Sequence, residues 1–437
     1  MAFRNDARVG LEDRNLYVES IAIDPPAGAP AIALTDGSEL RAAREARERE
    51  IVDEATAAIE KHRKADAVVR VVHPDGRPVS GARVDLVQYR QDFLFGGNIY
   101  LFDRAKTPGQ NAAYKDRFAG LFQYATVGFY WASYEREKGK PDYQYTDKVV
   151  AWCQGQGIAM KGHPLLWGDK AGIPPWSDGI PPLEAQKARV EAILGRYKGK
   201  IGLYEVVNEP AHNPLPRIDD PYRWARAADP SAKLIVNDYA VLADGYPPFR
   251  RLLEAAIRDG VPFDGVGIQA HEPVGMRFPL ERVRDVLDRY AKLGKGLHIT
   301  EFTPTSGGQP ILGSHVQGTW DEAAQADYAA KFYRVCFAHP AVNAITWWDL
   351  SDQGAWQKGG GLLREDMSPK PAYEALRKLI RDEWMTRASG TTDQEGRFAF
   401  RGFYGTYRVG VKARGGPASR TATLSPDGPR ELVVMVP

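Results

Sequence analysis

Two glutamates carry the strongest chemical signal in this chain. One closes the run Gly202-Leu203-Tyr204-Glu205-Val206-Val207-Asn208-Glu209-Pro210, and the other closes Leu297-His298-Ile299-Thr300-Glu301-Phe302, about ninety residues later. Both runs are short and apolar and read as buried strands. A barrel of parallel strands sets its chemistry at the C-terminal ends of those strands. Carboxyl groups facing each other across a barrel mouth are the pair that hydrolysis of a glycosidic bond requires, one protonating the leaving oxygen while the other attacks the sugar. Either glutamate alone would be an ordinary strand end. Polar and aromatic companions at other strand ends change that.

The elements that must position these residues alternate strand and helix. Strands are expected near 93–98, 124–130, 157–163, 201–208, 233–237, 264–270, 297–301 and 343–348, with helical patterns such as Leu280 to Leu293 and Ala323 to Phe337 after them. Eight β/α units in about 290 residues fit a (β/α)8 TIM barrel. Strand three ends at His163 and leads to Trp167; strand four gives Asn208 and Glu209; strand five gives Asn237-Asp238-Tyr239. Strand six gives Gln269-Ala270-His271, strand seven Glu301, and strand eight Trp347-Trp348, with Trp356 in the next loop. Trp131, Trp167, Trp176, Trp347, Trp348 and Trp356 gather near these ends, which suits a cleft that stacks the flat faces of sugars. Glu205 lies deeper on its strand and reads as structural; Glu272, beside Pro273, reads as a loop charge. No His/Cys/carboxylate cluster demands a metal, and no cofactor is expected. Gly359-Gly360-Gly361 lacks the Lys-Ser/Thr of a phosphate loop and reads as a flexible loop.

The barrel, placed at 93–387, has flanks of a different kind. Residues 1–38 hold a strand-like run, Asn15 to Ile23, without a nearby hairpin partner, then a Pro/Ala/Gly linker from Pro25 to Pro30. The run resembles the closing strand of a carbohydrate-binding β-sandwich module whose remainder is missing. Residues 39–66 read as a docking helix with one narrow face: Leu40, Ala43, Arg47, Ile51, Ala55, Ala58 and Ile59. Its other faces interleave Arg and Glu. Residues 67–92 read as strand, Pro-Asp-Gly turn and strand, and residues 388–437 hold further strands. Together the two pieces resemble one small carboxypeptidase-regulatory or Cna-B-like β-sandwich, interrupted by the barrel.

Composition narrows the classes. A net charge of +2 with both signs intermixed argues against a nucleic-acid partner. No run of about twenty apolar residues is present, so no membrane partner is expected. The first residues lack the apolar stretch of a secretory signal. Cys153 and Cys336 sit in apolar, helix-like contexts and read as buried free thiols. A monomer is expected.

With these motifs assembled, the barrel resembles the family-10 glycoside hydrolases, the xylanase family. Val206-Val207-Asn208-Glu209 matches the acid/base motif, and Ile299-Thr300-Glu301 the nucleophile motif. Gly162-His163 with Trp167, Asn237-Asp238-Tyr239 and Gln269-Ala270-His271 match strands three, five and six. Trp348-Asp349-Leu350-Ser351-Asp352, Trp356 and Pro369-Lys370-Pro371-Ala372-Tyr373 match the closing segment. The resemblance implies a retaining hydrolase of β-linked oligo- or polysaccharide with an extracellular or periplasmic site of action. Glu209 would then need a raised pKa to donate its proton, and Glu301 would need to stay ionised. Asn208 would bond the sugar 2-hydroxyl, Gln269 and His271 would orient Glu301, and His163, Trp167, Tyr239, Trp348 and Trp356 would complete the substrate site. The departures concern substrate. Where the family shows a Glu-Asn-x-Met-Lys-Trp type segment on strand two, this chain has Thr126-Val127-Gly128-Phe129-Tyr130-Trp131, which suggests an apolar outer subsite with Tyr130 as its polar contact. The usual His after Trp167 is Gly168, and the usual Asp after the nucleophile is Thr303. Three readings stay open: a xylanase-like hydrolase, a related hydrolase of another β-glycan or aryl β-glycoside, and a glycan-binding protein without turnover.

Overall fold

The computed structural model describes residues 37–213, 218–271 and 274–437, together with four short strands before residue 37. Among those strands Ile21–Ile23 pairs antiparallel with Ile32–Leu34, so the expected strand does have a hairpin partner across the segment read as a linker. Asn15 to Ser20, Pro25 to Pro30, and the Glu272-Pro273 pair lie outside the described residues.

Eight parallel strands close into a barrel: Leu94–Asn98, Tyr124–Gly128, Ala159–His163, Leu203–Asn208, Lys233–Asp238, Gly265–Ile268, Gly296–Phe302 and Val342–Trp347. Closure is completed where Lys161 and Gly162 of the third strand register with Leu203 and Tyr204 of the fourth. The sequence reading of these strands agrees with the structure to within a few residues. The fourth and seventh strands are buried along almost their whole length. Parallel strands covered on both faces need such continuous apolar runs. Gly162 makes room on the helix-facing side of the third strand, since a Cβ there would lie 2.6 Å from the Tyr204 ring and 3.2 Å from the Phe129 ring. Leu280–Ala291 and Glu322–Ala338 are helices that bury their apolar faces in the outer layer. Cys153 and Cys336 are buried free thiols.

An auxiliary β domain stands outside the barrel. Lys64–Val72 lies between Arg397–Phe403 and Glu431–Met435 in one sheet. Arg83–Gln91 lies between Arg387–Thr391 and Gly405–Ala413 in the other, with Gly416–Leu424 at its edge. The strands flanking the Pro-Asp-Gly turn therefore cross from sheet to sheet instead of forming a hairpin. Inward residues of both sheets, among them Val69, Val71, Val84, Leu86, Val409, Val411 and Val434, form one core.

The helix spans Gly37–His62. Ile51, Ala55 and Ile59 join the barrel core, but Leu40 and Ala43 are exposed. The docking face thus begins at Ile51, and the Arg/Glu-rich first half is largely solvated. Arg63 fastens the junction that follows, donating to the carbonyls of Phe337 at 2.6 Å, His339 at 2.6 Å and Val342 at 2.7 Å. No helix among the described residues is long and apolar enough to cross a membrane.

Because every strand partner of Lys64–Val72 and Arg83–Gln91 comes from the last segment, deleting residues 387–437 would expose both edges of each strand and their apolar faces. The truncated chain should melt at lower temperature and bind a hydrophobic dye. An unchanged Tm would show that these strands are stable without their partners.

Candidate active site

The barrel mouth is built on sharply turned strand ends. Glu209 follows the fourth strand with φ +53°, Ala270 follows the sixth with φ +67°, and Asp349 follows the eighth with φ +67°. Residues with a Cβ occupy that left-handed region only when their surroundings hold them there, and such positions cluster at functional sites. The Glu209 N–H donates to the Asn237 carbonyl at 2.8 Å, and its own carbonyl accepts from Asn213 N at 2.7 Å. The bend aims the Glu209 carboxylate into a set of donors. Its Oε1 accepts from Gln269 Nε2 at 2.7 Å, and its Oε2 from Trp167 Nε1 and Asn213 Nδ2, each at 2.9 Å.

Glu301 sits across this network, also buried. Its Oε1 accepts from Asn237 Nδ2 at 3.1 Å, and the same amide donates to Asn208 Oδ1 at 2.8 Å. Asn237 is fixed from behind by Thr300 Oγ1 at 2.5 Å, and Gly267 permits this approach because a Cβ there would lie 2.6 Å from Asn237 Oδ1. His271 Nε2 lies 2.9 Å from Gln269 Oε1 and 3.6 Å from Glu301 Oε2, which links the two carboxylates through neutral side chains. Burial lowers the His271 pKa to about 3, with His163 adding to the effect, so the ring is uncharged near neutrality.

Beneath them, Glu205 has no exposure and binds Lys161 Nζ at 2.5 Å and His163 Nδ1. Burial favours its protonated form, but Lys161 and His163 overcome that and hold the pKa down at about 2. The structural role expected of Glu205 is the one it has here. Its charge acts upward: burial pushes the Glu301 carboxyl well above the ordinary glutamate range, and the Glu205 and Glu209 carboxylates reinforce the shift. The sequence reading put the raised carboxyl at Glu209 and an ionised one at Glu301. The upward push resolved in the structure falls on Glu301, which is more enclosed by carboxylates than its position in the sequence can reveal. Among the described residues, His163, Glu205 and Glu301 place ligand atoms within 4.8 Å of one another. The sequence reading recognised no such grouping. A cation entering it would compete with the Lys161 ammonium already on Glu205, so the donor set does not suit a metal.

The aromatic residues divide between site and core. Tyr130 Oη lies 3.3 Å from His163 Nε2, and Trp348 stands edge-on to His163 with ring centroids 5.3 Å apart. Trp167 meets Tyr130 edge-on, while Trp356 is 56% exposed and lies against His271 at 4.7 Å. Tyr239 stacks on His212 at 3.5 Å, and Tyr246 covers the opposite face of that ring at 4.1 Å. Phe129, Trp131 and Trp347 do not reach the cleft. Phe129 packs against Tyr134 and Tyr197, Trp131 bonds Glu135, and Trp347 donates to the Gly360 carbonyl. Trp176 packs on Trp131 and donates to the Glu135 carbonyl. Of the strand-two segment's aromatics, only Tyr130 joins the site, because Phe129 and Trp131 are buried beside Tyr134 and Arg189.

Two departures from the expected pattern have structural counterparts. A Cβ on Gly168 would lie 2.9 Å from the Asn213 carbonyl oxygen, so Asn213 occupies the space beside Trp167 and supplies a donor to Glu209. Thr303 is buried and donates to the Glu301 and Trp348 carbonyls at 3.1 and 3.3 Å. The glycine stretch 359–361 is packed, not a flexible loop. Gly359 O accepts from Ser306 N at 2.9 Å and Lys370 Nζ at 3.2 Å, and Gly361 N donates to Asp352 at 2.9 Å. Asn213, Lys161 and Tyr100 were missed by the sequence reading. Asn213 lies in an ordinary-looking loop, and only the turn at Glu209 brings it back.

Comparison with known proteins gives a consistent result. Residues 110–379 match the model of glycosyl hydrolase family 10. The anti-sigma-I factor RsgI6 of Acetivibrio thermocellus is 28% identical over 384 residues, covering 83% of this chain and 47% of that protein. Endo-1,4-beta-xylanase 1 of Arabidopsis thaliana is 29% identical over 374 residues, covering 80% of this chain and 37% of that protein. The chain thus spans less than half the length of either relative. In fold, native xylanase 10B of Thermotoga maritima superposes with a TM-score of 0.56 at 24% identity, covering 67% of this chain and 96% of that one.

Replacing Glu205 by Gln would leave Lys161 and His163 buried without their anion. It should cost about 3–5 kcal/mol of stability at neutral pH, read by denaturant unfolding. In the wild type the Glu205 contribution is fully present above the ordinary value of 4.5 and is lost as pH falls through about 2. A Glu205→Gln protein as stable as wild type would remove the ion pair from its supporting role.

Proposed function

Since the chain belongs to glycosyl hydrolase family 10, we propose that it is a xylanase-like retaining hydrolase of β-1,4-glycosidic bonds, with Glu209 as acid/base and Glu301 as nucleophile. The observation that carries this reading is the pair of buried glutamates at the ends of the fourth and seventh strands, joined through Asn237, Gln269 and His271. Glu301 attacks the anomeric carbon while the Glu209 proton passes to the leaving oxygen. Water, deprotonated by Glu209, then releases the sugar from Glu301. Asn208 accepts from Asn237 through Oδ1, which turns its own amide donor toward the 2-hydroxyl of the sugar.

Burial and its carboxylate neighbours favour a proton on Glu301 in the free protein, whereas attack requires Glu301 as the anion. Positive charge developing at the anomeric carbon favours that anion and leaves the proton for Glu209. Product release from oligosaccharide separates this reading from glycan binding without turnover.

Glu301→Ala should abolish hydrolysis of every substrate. Glu209→Ala should retain activity on aryl β-glycosides with good leaving groups, and azide should partly restore it by attacking the glycosyl-enzyme, giving a β-glycosyl azide of retained configuration. Equal losses on activated and unactivated substrates would reverse or remove these roles. The acid limb of kcat/KM should lie above the ordinary glutamate value of 4.5, because Glu301 is inactive while protonated. An acid limb at or below that value would contradict the assigned environment.

A further inference from the structure

Beside the catalytic residues is a cavity of about 450 Å³. Tyr100 and Tyr130 wall it on the side of the site, Val127 lies in its lining, and Arg104, Arg136 and Asp142 border it among exposed residues. Tyr130 Oη is 3.3 Å from His163 Nε2, which is 4.0 Å from Glu301 Oε1, so the cavity starts one side chain away from the nucleophile. Its charge is unbalanced. The Arg104 guanidinium rests 3.7 Å from the centroid of the Tyr145 ring and has no carboxylate partner among the described residues. Arg136 is exposed and likewise has no ion-pair partner among the described residues.

Nearby carboxylates are engaged elsewhere. Asp103 holds Lys115 and Lys148. Glu135 accepts from Trp131 Nε1 at 2.8 Å and Gly139 N at 2.7 Å, and Asp142 caps the helix Tyr143–Gly155 through Gln144 N at 3.2 Å. Two guanidinium groups therefore border a sugar-sized space whose only bordering carboxylate among the described residues, Asp142, is committed to a helix end. Arg suits a carboxylate because its planar fork can bind both oxygens, and stacking on Tyr145 already restricts Arg104.

We propose that this cavity receives the unit adjoining the cleaved sugar and that Arg104 and Arg136 select a carboxylate there, a uronic acid carried by the β-linked chain. The inference rests on the hydrolase reading above and deepens it. It also replaces the expectation of an apolar outer subsite: Val127 is apolar, but the rim is cationic.

The test compares a β-1,4-linked xylo-oligosaccharide bearing one glucuronic acid branch with the same compound after reduction of its carboxyl to an alcohol. The wild type should show about tenfold higher kcat/KM on the acidic compound, and the preference should shrink in about 0.5 M salt. Arg104→Ala/Arg136→Ala should lose the preference while cleaving the reduced compound at the wild-type rate. Equal cleavage of both compounds by the wild type, or a preference that survives in the double variant, overturns the proposal and leaves the hydrolase reading intact. Cleavage of neither compound overturns the hydrolase reading. Calorimetry on the same pair then decides the rest: tighter binding of the acidic compound that the double variant loses supports carboxylate selection, and equal binding overturns it.

Discussion

A buried charge governs the mouth of this barrel. Glu205 is wholly enclosed, and its anion is stable only because Lys161 and His163 reach it from the neighbouring third strand. The pairing fixes the His163 ring, and His163 in turn meets Tyr130 and the face of the site near Trp348. The Glu205 charge also raises the proton affinity of Glu301 above it. One ion pair therefore orients the His163 ring and adds to the burial that raises the proton affinity of Glu301.

Above that floor, neutral amides do the positioning. Asn237 spans Asn208 and Glu301, and Gln269 spans Glu209 and His271. Amides suit this task because they join carboxylates without adding charge of their own. The left-handed turns at Glu209, Ala270 and Asp349 supply the geometry, and their strain is carried by the hydrogen bonds around them. Asp349 holds Asn98 at 3.0 Å and the Trp356 N–H at 2.8 Å, so the last turn also places the exposed tryptophan at the rim.

The closing segment and the auxiliary domain hold the barrel from outside. Lys370 binds Asp352 at 2.8 Å and Ser306 at 3.0 Å, which ties the loops after the seventh and eighth strands together. Arg63 joins the end of the long helix to the helix Glu322–Ala338, its guanidinium also lying over the rings of Phe93 and Phe337. Burial lowers its pKa to about 10, still high enough to keep the charge that the three carbonyls solvate.

The sequence by itself determined the barrel, its eight strands and the two glutamates, because buried parallel strands leave continuous apolar runs and the residues ending them stand out by type. It also marked Asn208, His163, Gln269 and His271, each set directly after such a run. It could not decide which aromatics face the barrel mouth. Trp131 and Trp176 look like Trp167 in a linear chain, and only packing sends them into the core. Nor could it assign the proton. Glu205 and Glu301 are alike as residues, and their difference arises from Lys161 and His163 against one, and from burial with two carboxylates beside the other. Burial and distance set proton affinity, and both are properties of the tertiary structure alone.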